Sequence, residues 1–267
     1  MSRPRFAAAA GWLAIGLIPG AFIPGCRPLR STGVGAHAAR LAARPTAGAG
    51  APPPAAGPRR LDLTAERDAL LYVPAGSANS PAAPRKPRKS RPLPLLVLFH
   101  GAGGDAAGGM SLLSGLADRY GVALLSPASR SRTWDAIRGT YEADVVHLDA
   151  ALEAAFSAVE IDPDRISVAG FSDGASYALG LGLANGDLFG RIIAFSPGFI
   201  PGGPRHGKPD IFLSHGRGDD VLPIRSTSRK IVPALERDGY GVKYREFDGG
   251  HSVPPLVARE SLEWLGW

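Results

Sequence analysis

Short apolar runs alternate along residues 61–267 with segments whose apolar positions recur every three or four residues. The runs at 69–73, 94–99, 121–126, 165–170, 191–195, 210–214 and 242–247 read as strands. The intervening segments 110–120, 143–159, 173–184, 226–238 and 253–267 have helical spacing. In 143–159, for example, Val145, Leu148, Leu152 and Phe156 fall on one side, and His147 reads as a packing or solvated residue. Strands that are apolar almost throughout are buried on both faces. The alternation therefore predicts an α/β fold, a mostly parallel central sheet with helices on both sides. In such sheets, sites form beyond the carboxyl ends of the strands.

Chemistry concentrates at those ends. Gly170-Phe171-Ser172-Asp173-Gly174 lies between a strand and a helix. Glycines on both sides of a serine at a sharp strand-to-helix turn make a nucleophile elbow, which lifts the serine oxygen above the sheet. The same turn puts the Asp173 N–H at a helix N-terminus, where it can bind a developing oxyanion. A chain with 35 glycines produces such a pentapeptide by chance, so its partners decide the matter. Three histidines follow Ser172. His206 sits in a Pro- and Gly-rich loop, and His215 ends an apolar run ahead of the nearest acids. His251 follows a strand and precedes a closing helix, the placement a general base requires. Between Ser172 and His251, Asp219 and Asp220 stand side by side in a glycine-punctuated turn after the strand at 210–214, and either could orient the imidazole. Asp248, three residues before His251, reads as a turn former. Upstream, the strand at 94–99 runs into His100-Gly101-Ala102-Gly103-Gly104. That loop has neither the lysine of a phosphate-binding loop nor the spacing of a dinucleotide fingerprint.

The order of these four motifs resembles the α/β-hydrolase superfamily, in particular its phospholipase/carboxylesterase and polyhydroxybutyrate-depolymerase-like branches. The segment from His215 to Pro223 is similar to their His-Gly-x-x-Asp-x-x-x-Pro signature, and the His100–Gly104 stretch to their oxyanion loop. The resemblance covers about 61–267. It implies an α/β-hydrolase fold with a triad of Ser172, Asp219 and His251. It also implies oxyanion donors at the backbone N–H groups of Ala102 and Asp173, and a bracing role for His100. No metal or organic cofactor is implied. Asp173 departs from the Gln that many carboxylesterases of this kind carry at that position.

Charge changes the picture outside the domain more than within it. The net charge of +6 is the sum of +11 through Pro94 and −5 beyond it. The folded part is thus mildly acidic, with no nucleic-acid footprint. A basic tract, Arg85-Lys86-Pro87-Arg88-Lys89-Ser90-Arg91, reads as a solvated loop insertion at about 74–92. Residues 1–26 combine a basic start with a charge-free run from Phe6 to Cys26. That is the pattern of an export signal or an uncleaved membrane anchor. The sole cysteine, Cys26, ends a stretch resembling a lipobox, with Pro24 departing from it; lipid anchoring there is the alternative to a cleaved peptide. Residues 27–60 read as a disordered Pro-, Ala- and Arg-rich spacer leading into a catalytic domain at 61–267.

The connection from Phe195 to Asp210 is too short for a helical lid, so no large lid domain is expected. Trp134, Phe199 and Ile200 are candidate substrate-pocket residues. The expected activity is hydrolysis of a carboxylic ester, small or polymer-borne, through an acyl-enzyme. A peptidase or amidase using the same triad is one alternative. A catalytically silent envelope-binding protein is the other.

Overall fold

The computed structural model describes residues 39–45, 55–75 and 92–267. Eight strands form one sheet: β1 (Gly57–Arg60), β2 (Ala69–Val73), β3 (Leu93–Phe99), β4 (Ala123–Pro127), β5 (Ile161–Phe171), β6 (Arg191–Phe195), β7 (Asp210–Gly216) and β8 (Val242–Phe247). Their spatial order is β1-β2-β4-β3-β5-β6-β7-β8. The β1–β2 and β2–β4 pairs are antiparallel, and every pair from β4 to β8 is parallel. The helices are α1 (Ala106–Ser111), α2 (Ser114–Tyr120), α3 (Ala143–Ala158), α4 (Asp173–Ala184), α5 (Ser228–Arg237) and α6 (Pro255–Leu265).

The period-two geometry of β3 shows why its sequence is apolar throughout. Leu95, Val97 and Phe99 enter the core that α3, α4 and α5 share, while Leu96 and Leu98 enter the one shared with α1, α2 and α6. All five are completely buried. Each such side chain contributes about 1.5–3 kcal/mol relative to exposure, so the middle of the sheet is its most strongly held part. The carboxyl ends of β3, β5, β6, β7 and β8 therefore form a rigid rim. Phe99 is paired with Gly170, Phe171 with Phe195, and Gly216 with Phe247.

Three local expectations needed correction. The single helix expected over 110–120 is two, α1 and α2, which place Met110 and Leu113 in the same core. Its start was hidden by Gly108 and Gly109. Asp105 caps it by accepting the Gly108 N–H at 2.8 Å. Strand β5 extends back to Ile161, which pairs with Leu93 after a register shift.

The third correction concerns 27–60. Its final residues form β1, a polar edge strand carrying Pro58. Residues 39–45 lie against the domain, with Ala39, Leu41 and Ala43 buried and the residues between them turned outward. Side chains hold this strap in place of a ladder. Asn185 donates to the Ala39 carbonyl at 2.7 Å and accepts the Leu41 N–H at 2.9 Å. Asp149 accepts from Ala42 and Ala43, and Asp187 takes both Arg40 and Arg44 at 2.6 Å. Small residues that make a segment look coreless are here the ones that fit flat on a finished surface.

The connection from β6 to β7 contains neither helix nor strand, and no large lid is formed among the described residues. Among the described residues, no helix is long and apolar enough to cross a membrane. The export or anchor segment 1–26 with Cys26, most of the spacer, and the basic tract 85–91 lie outside the described residues.

Candidate active site

Ser172 sits between β5 and α4 with φ +57° and ψ −120°, a conformation that side chains rarely adopt. The turn can be this tight only because its flanking residues lack Cβ atoms. A Cβ on Gly170 would lie 2.2 Å from the Gly174 carbonyl oxygen, and one on Gly174 would lie 2.3 Å from that of Phe99. The Ser172 N–H is donated to Phe195 at 2.9 Å, and its carbonyl accepts from Ala175 and Ser176. The strain is thereby held by backbone bonds on both sides, leaving the hydroxyl free to face the loops above.

Those loops bring His251 and Asp219 to it. His251 Nε2 is 2.9 Å from Ser172 Oγ, and His251 Nδ1 is 2.6 Å from Asp219 Oδ2. A carboxylate only accepts, so Nδ1 carries the proton and the Nε2 lone pair faces the serine hydroxyl. The Phe171 ring lies 4.7 Å from the imidazole and limits its swing. The Asp219 side chain is fully buried. Burial alone would raise its pKa. The Leu222 N–H, His251 and His215 outweigh that and leave it below the ordinary carboxylate value. Asp220 is exposed and makes no hydrogen bond or ion pair among the described residues; Asp248 is exposed and pairs with Arg217 at 2.6 Å.

In the loop after β3, Gly103 donates its N–H to the Arg132 carbonyl at 2.6 Å, and Gly104 donates to that of Gly101 at 3.1 Å. The Ala102 and Asp173 N–H groups have no acceptor among the described residues, and Asp173 opens α4 directly after Ser172. His100 braces this loop. Its Nδ1–H donates to the Gly101 carbonyl at 2.7 Å, and its Nε2 accepts the Ser129 N–H at 3.0 Å. Burial lowers its pKa, which keeps it in this neutral form. The Asp173 carboxylate accepts the Thr133 hydroxyl at 2.6 Å.

The three candidate pocket residues separate. Trp134 is only 1 % exposed and cannot line a pocket. Its indole N–H donates to the His100 carbonyl at 2.9 Å, and its ring stacks 4.7 Å from Tyr177 and packs against Phe99. It supports the His100–Gly104 loop. Ile200 packs on the larger core. Phe199 is 43 % exposed on the β6–β7 connection, which Ser176 Oγ holds by accepting the Gly198 N–H at 2.9 Å. Leu222 faces Gly198, and Val221 beside it is exposed.

Two contributors were not picked out from sequence, Thr133 and His215. His215 is fully buried behind Asp219, at 3.1 Å from Oδ2. Its spacing of four residues from Asp219 was the signal. Chain order alone dismissed it as the general base and left it without a role.

The comparisons agree with this geometry. Residues 136–256 match the phospholipase/carboxylesterase family model. NocK of Nocardia uniformis subsp. tsuyamanensis, a protein named as an esterase, is 32% identical over 174 residues, 60% of this chain and 49% of that protein. The chain thus spans about half the length of this curated relative. Among solved structures, esterase PE8 superposes with a TM-score of 0.54 at 23% identity, covering 66% of this chain and 93% of that one. A phospholipase/carboxylesterase from Dyadobacter fermentans gives 0.52 at 25% identity, with 66% and 91% covered. With its sheet order, its elbow and the matched segment in accord, the chain has an α/β-hydrolase fold, and its segment 136–256 is similar to the phospholipase/carboxylesterase family.

Proposed function

We propose that this protein hydrolyses carboxylic esters through an acyl-enzyme, with Ser172 as nucleophile. The observation that carries the reading is the continuous chain of short contacts from Ser172 Oγ through His251 to Asp219. His251 Nε2 takes the hydroxyl proton as Ser172 attacks the ester carbonyl, and Asp219 stabilises the imidazolium that forms. The Ala102 and Asp173 N–H groups receive the negative charge on the carbonyl oxygen. The alcohol leaves with the proton from His251. Water, deprotonated by the same imidazole, then releases the acid and restores Ser172.

The exposed apolar side chains of Phe199 and Val221, and a β6–β7 connection without helix or strand, favour small or exposed ester substrates over chains that need a deep tunnel. A panel of chromogenic esters, from acetate to decanoate, tests this reading. Turnover of short acyl groups that disappears in Ser172→Ala is expected; no turnover of any ester by the wild-type protein would overturn it. Export belongs to the same proposal and rests on the sequence of residues 1–26. Mass spectrometry of the mature N-terminus is expected to find a start beyond the apolar run or an acylated Cys26, and an intact Met1 on soluble protein would contradict it.

A further inference from the structure

The Asp219 carboxylate has three hydrogen-bonding partners, one of them His251, and a second imidazole lies close beside it. Oδ1 accepts the Val221 and Leu222 N–H groups at 3.0 and 2.8 Å. Oδ2 faces two imidazoles, His251 Nδ1 at 2.6 Å and His215 Nε2 at 3.1 Å. The second imidazole is completely buried, and nothing in the hydrolytic steps above uses it. Its partners determine its protonation. Nε2 is hydrogen-bonded to the Leu222 carbonyl at 2.8 Å and lies 3.1 Å from the carboxylate, both acceptors, so it carries a proton. Nδ1 then accepts the Ser228 hydroxyl at 2.6 Å. A neutral ring satisfies every contact.

We propose that His215 is a positioning residue for the reaction, acting through Asp219: an uncharged N–H donor that holds the carboxylate toward His251 and tempers its basicity. The inference rests on the serine esterase reading. The absence of charge is central to the role. A lysine or arginine at this place would neutralise Asp219 and oppose the positive charge that His251 acquires in the transition state. A neutral imidazole fixes the carboxylate and leaves its charge available. The same ring ties the turn that carries the acid to the end of β7 through the Leu222 carbonyl, and to the start of α5 through Ser228. The ionisable groups facing this centre are Asp219, His251 and His215. Arg217 and Asp248 pair with each other on the exposed side.

The direction of the effect follows from proton affinity. Without the His215 donor, Asp219 holds the proton on His251 more tightly. The acid limb of the kcat/KM profile then moves to higher pH by about 0.5–1 unit. The test compares His215→Leu and His215→Gln with the wild type on one short-chain ester across pH 5–9, with fluorophosphonate labelling of Ser172 in each. We expect His215→Leu to lose roughly ten- to a hundredfold in kcat and to show the upward shift. His215→Gln keeps an N–H donor and should recover at least tenfold of the loss, with the limb near its original place. Equal losses in both variants with an unmoved limb would reduce His215 to a packing residue and overturn the proposal, as would full activity in His215→Leu. If His215→Leu fails to fold, His215→Gln decides alone: near-wild-type kcat and profile support the proposal, and a hundredfold loss overturns it. Wild-type protein that neither labels nor hydrolyses any ester would instead bring down the underlying esterase reading.

Discussion

Replacing Asp219 by Asn removes one charge and hardly any volume, and the hydrogen-bond geometry dictates the consequence. The carboxylate accepts three N–H groups, two on Oδ1 and one on Oδ2, and the His215 Nε2–H lies 3.1 Å from Oδ2. An amide has one accepting oxygen and one donating nitrogen. With its oxygen toward Val221 and Leu222, its NH2 faces the protons on His251 and His215; turned over, it faces the two backbone donors. In the first orientation His251 escapes the clash by moving its proton to Nε2, which then points at Ser172 and cannot accept from it. Turnover should fall by about 10³–10⁴-fold. This corresponds to about 4–5 kcal/mol of lost transition-state stabilisation. Unmatched donors in a fully buried site should also cost about 1–3 kcal/mol of stability. Asp220→Asn is the paired control, because Asp220 is exposed and has no partner among the described residues. Steady-state kinetics on a short-chain chromogenic ester, with a thermal melt of each variant, make the comparison. Loss of turnover in Asp220→Asn with retention in Asp219→Asn would refute the reasoning.

Two further predictions concern stability. His100, His147 and His215 are buried and their pKa values are lowered, chiefly by burial. Below about pH 6.5 the unfolded chain therefore binds protons that the folded one does not. Stability should be level above about pH 7 and fall as pH drops toward 5, by up to about 1.4 kcal/mol per pH unit for each histidine. Melting temperatures from pH 8 to 5 check this, and a curve flat over that range would contradict it. Asn185→Ala should release the strap, since it strips the Leu41 N–H and the Ala39 carbonyl of their partner. The cost is about 2–4 kcal/mol, set against the conformational entropy of seven ordered residues. Amide exchange at Leu41, Ala42 and Ala43 should accelerate about 30- to 1000-fold, and rates within a few-fold of wild type would count against the clamp.

The strap and the pocket mark the places where sequence reasoning reached its limit, for a common physical reason. Strands 69–73, 191–195 and 242–247 and helix 173–184 were legible to the residue because burial on one or both faces writes a period into the chain. The elbow, His251 and the acid turn were legible because their backbone demands glycine at set positions. Ala39, Leu41 and Ala43 carry no such mark. What orders them resides on Asn185, Asp149 and Asp187, more than a hundred residues away. Trp134 was misread because an aromatic residue in a polar loop resembles a pocket wall. The deciding features were a carbonyl at His100 and a ring at Tyr177, both supplied by other elements. His215 shows the converse case. Its spacing from Asp219 was visible, and only packing explains why a histidine stands there.

Mapping the adduct of a fluorophosphonate probe on the folded protein decides whether Ser172 is an activated nucleophile. The account predicts a stoichiometric adduct on Ser172, formed at least about a thousandfold more slowly in His251→Ala. An unmodified Ser172, or labelling at the same rate without His251, would contradict it.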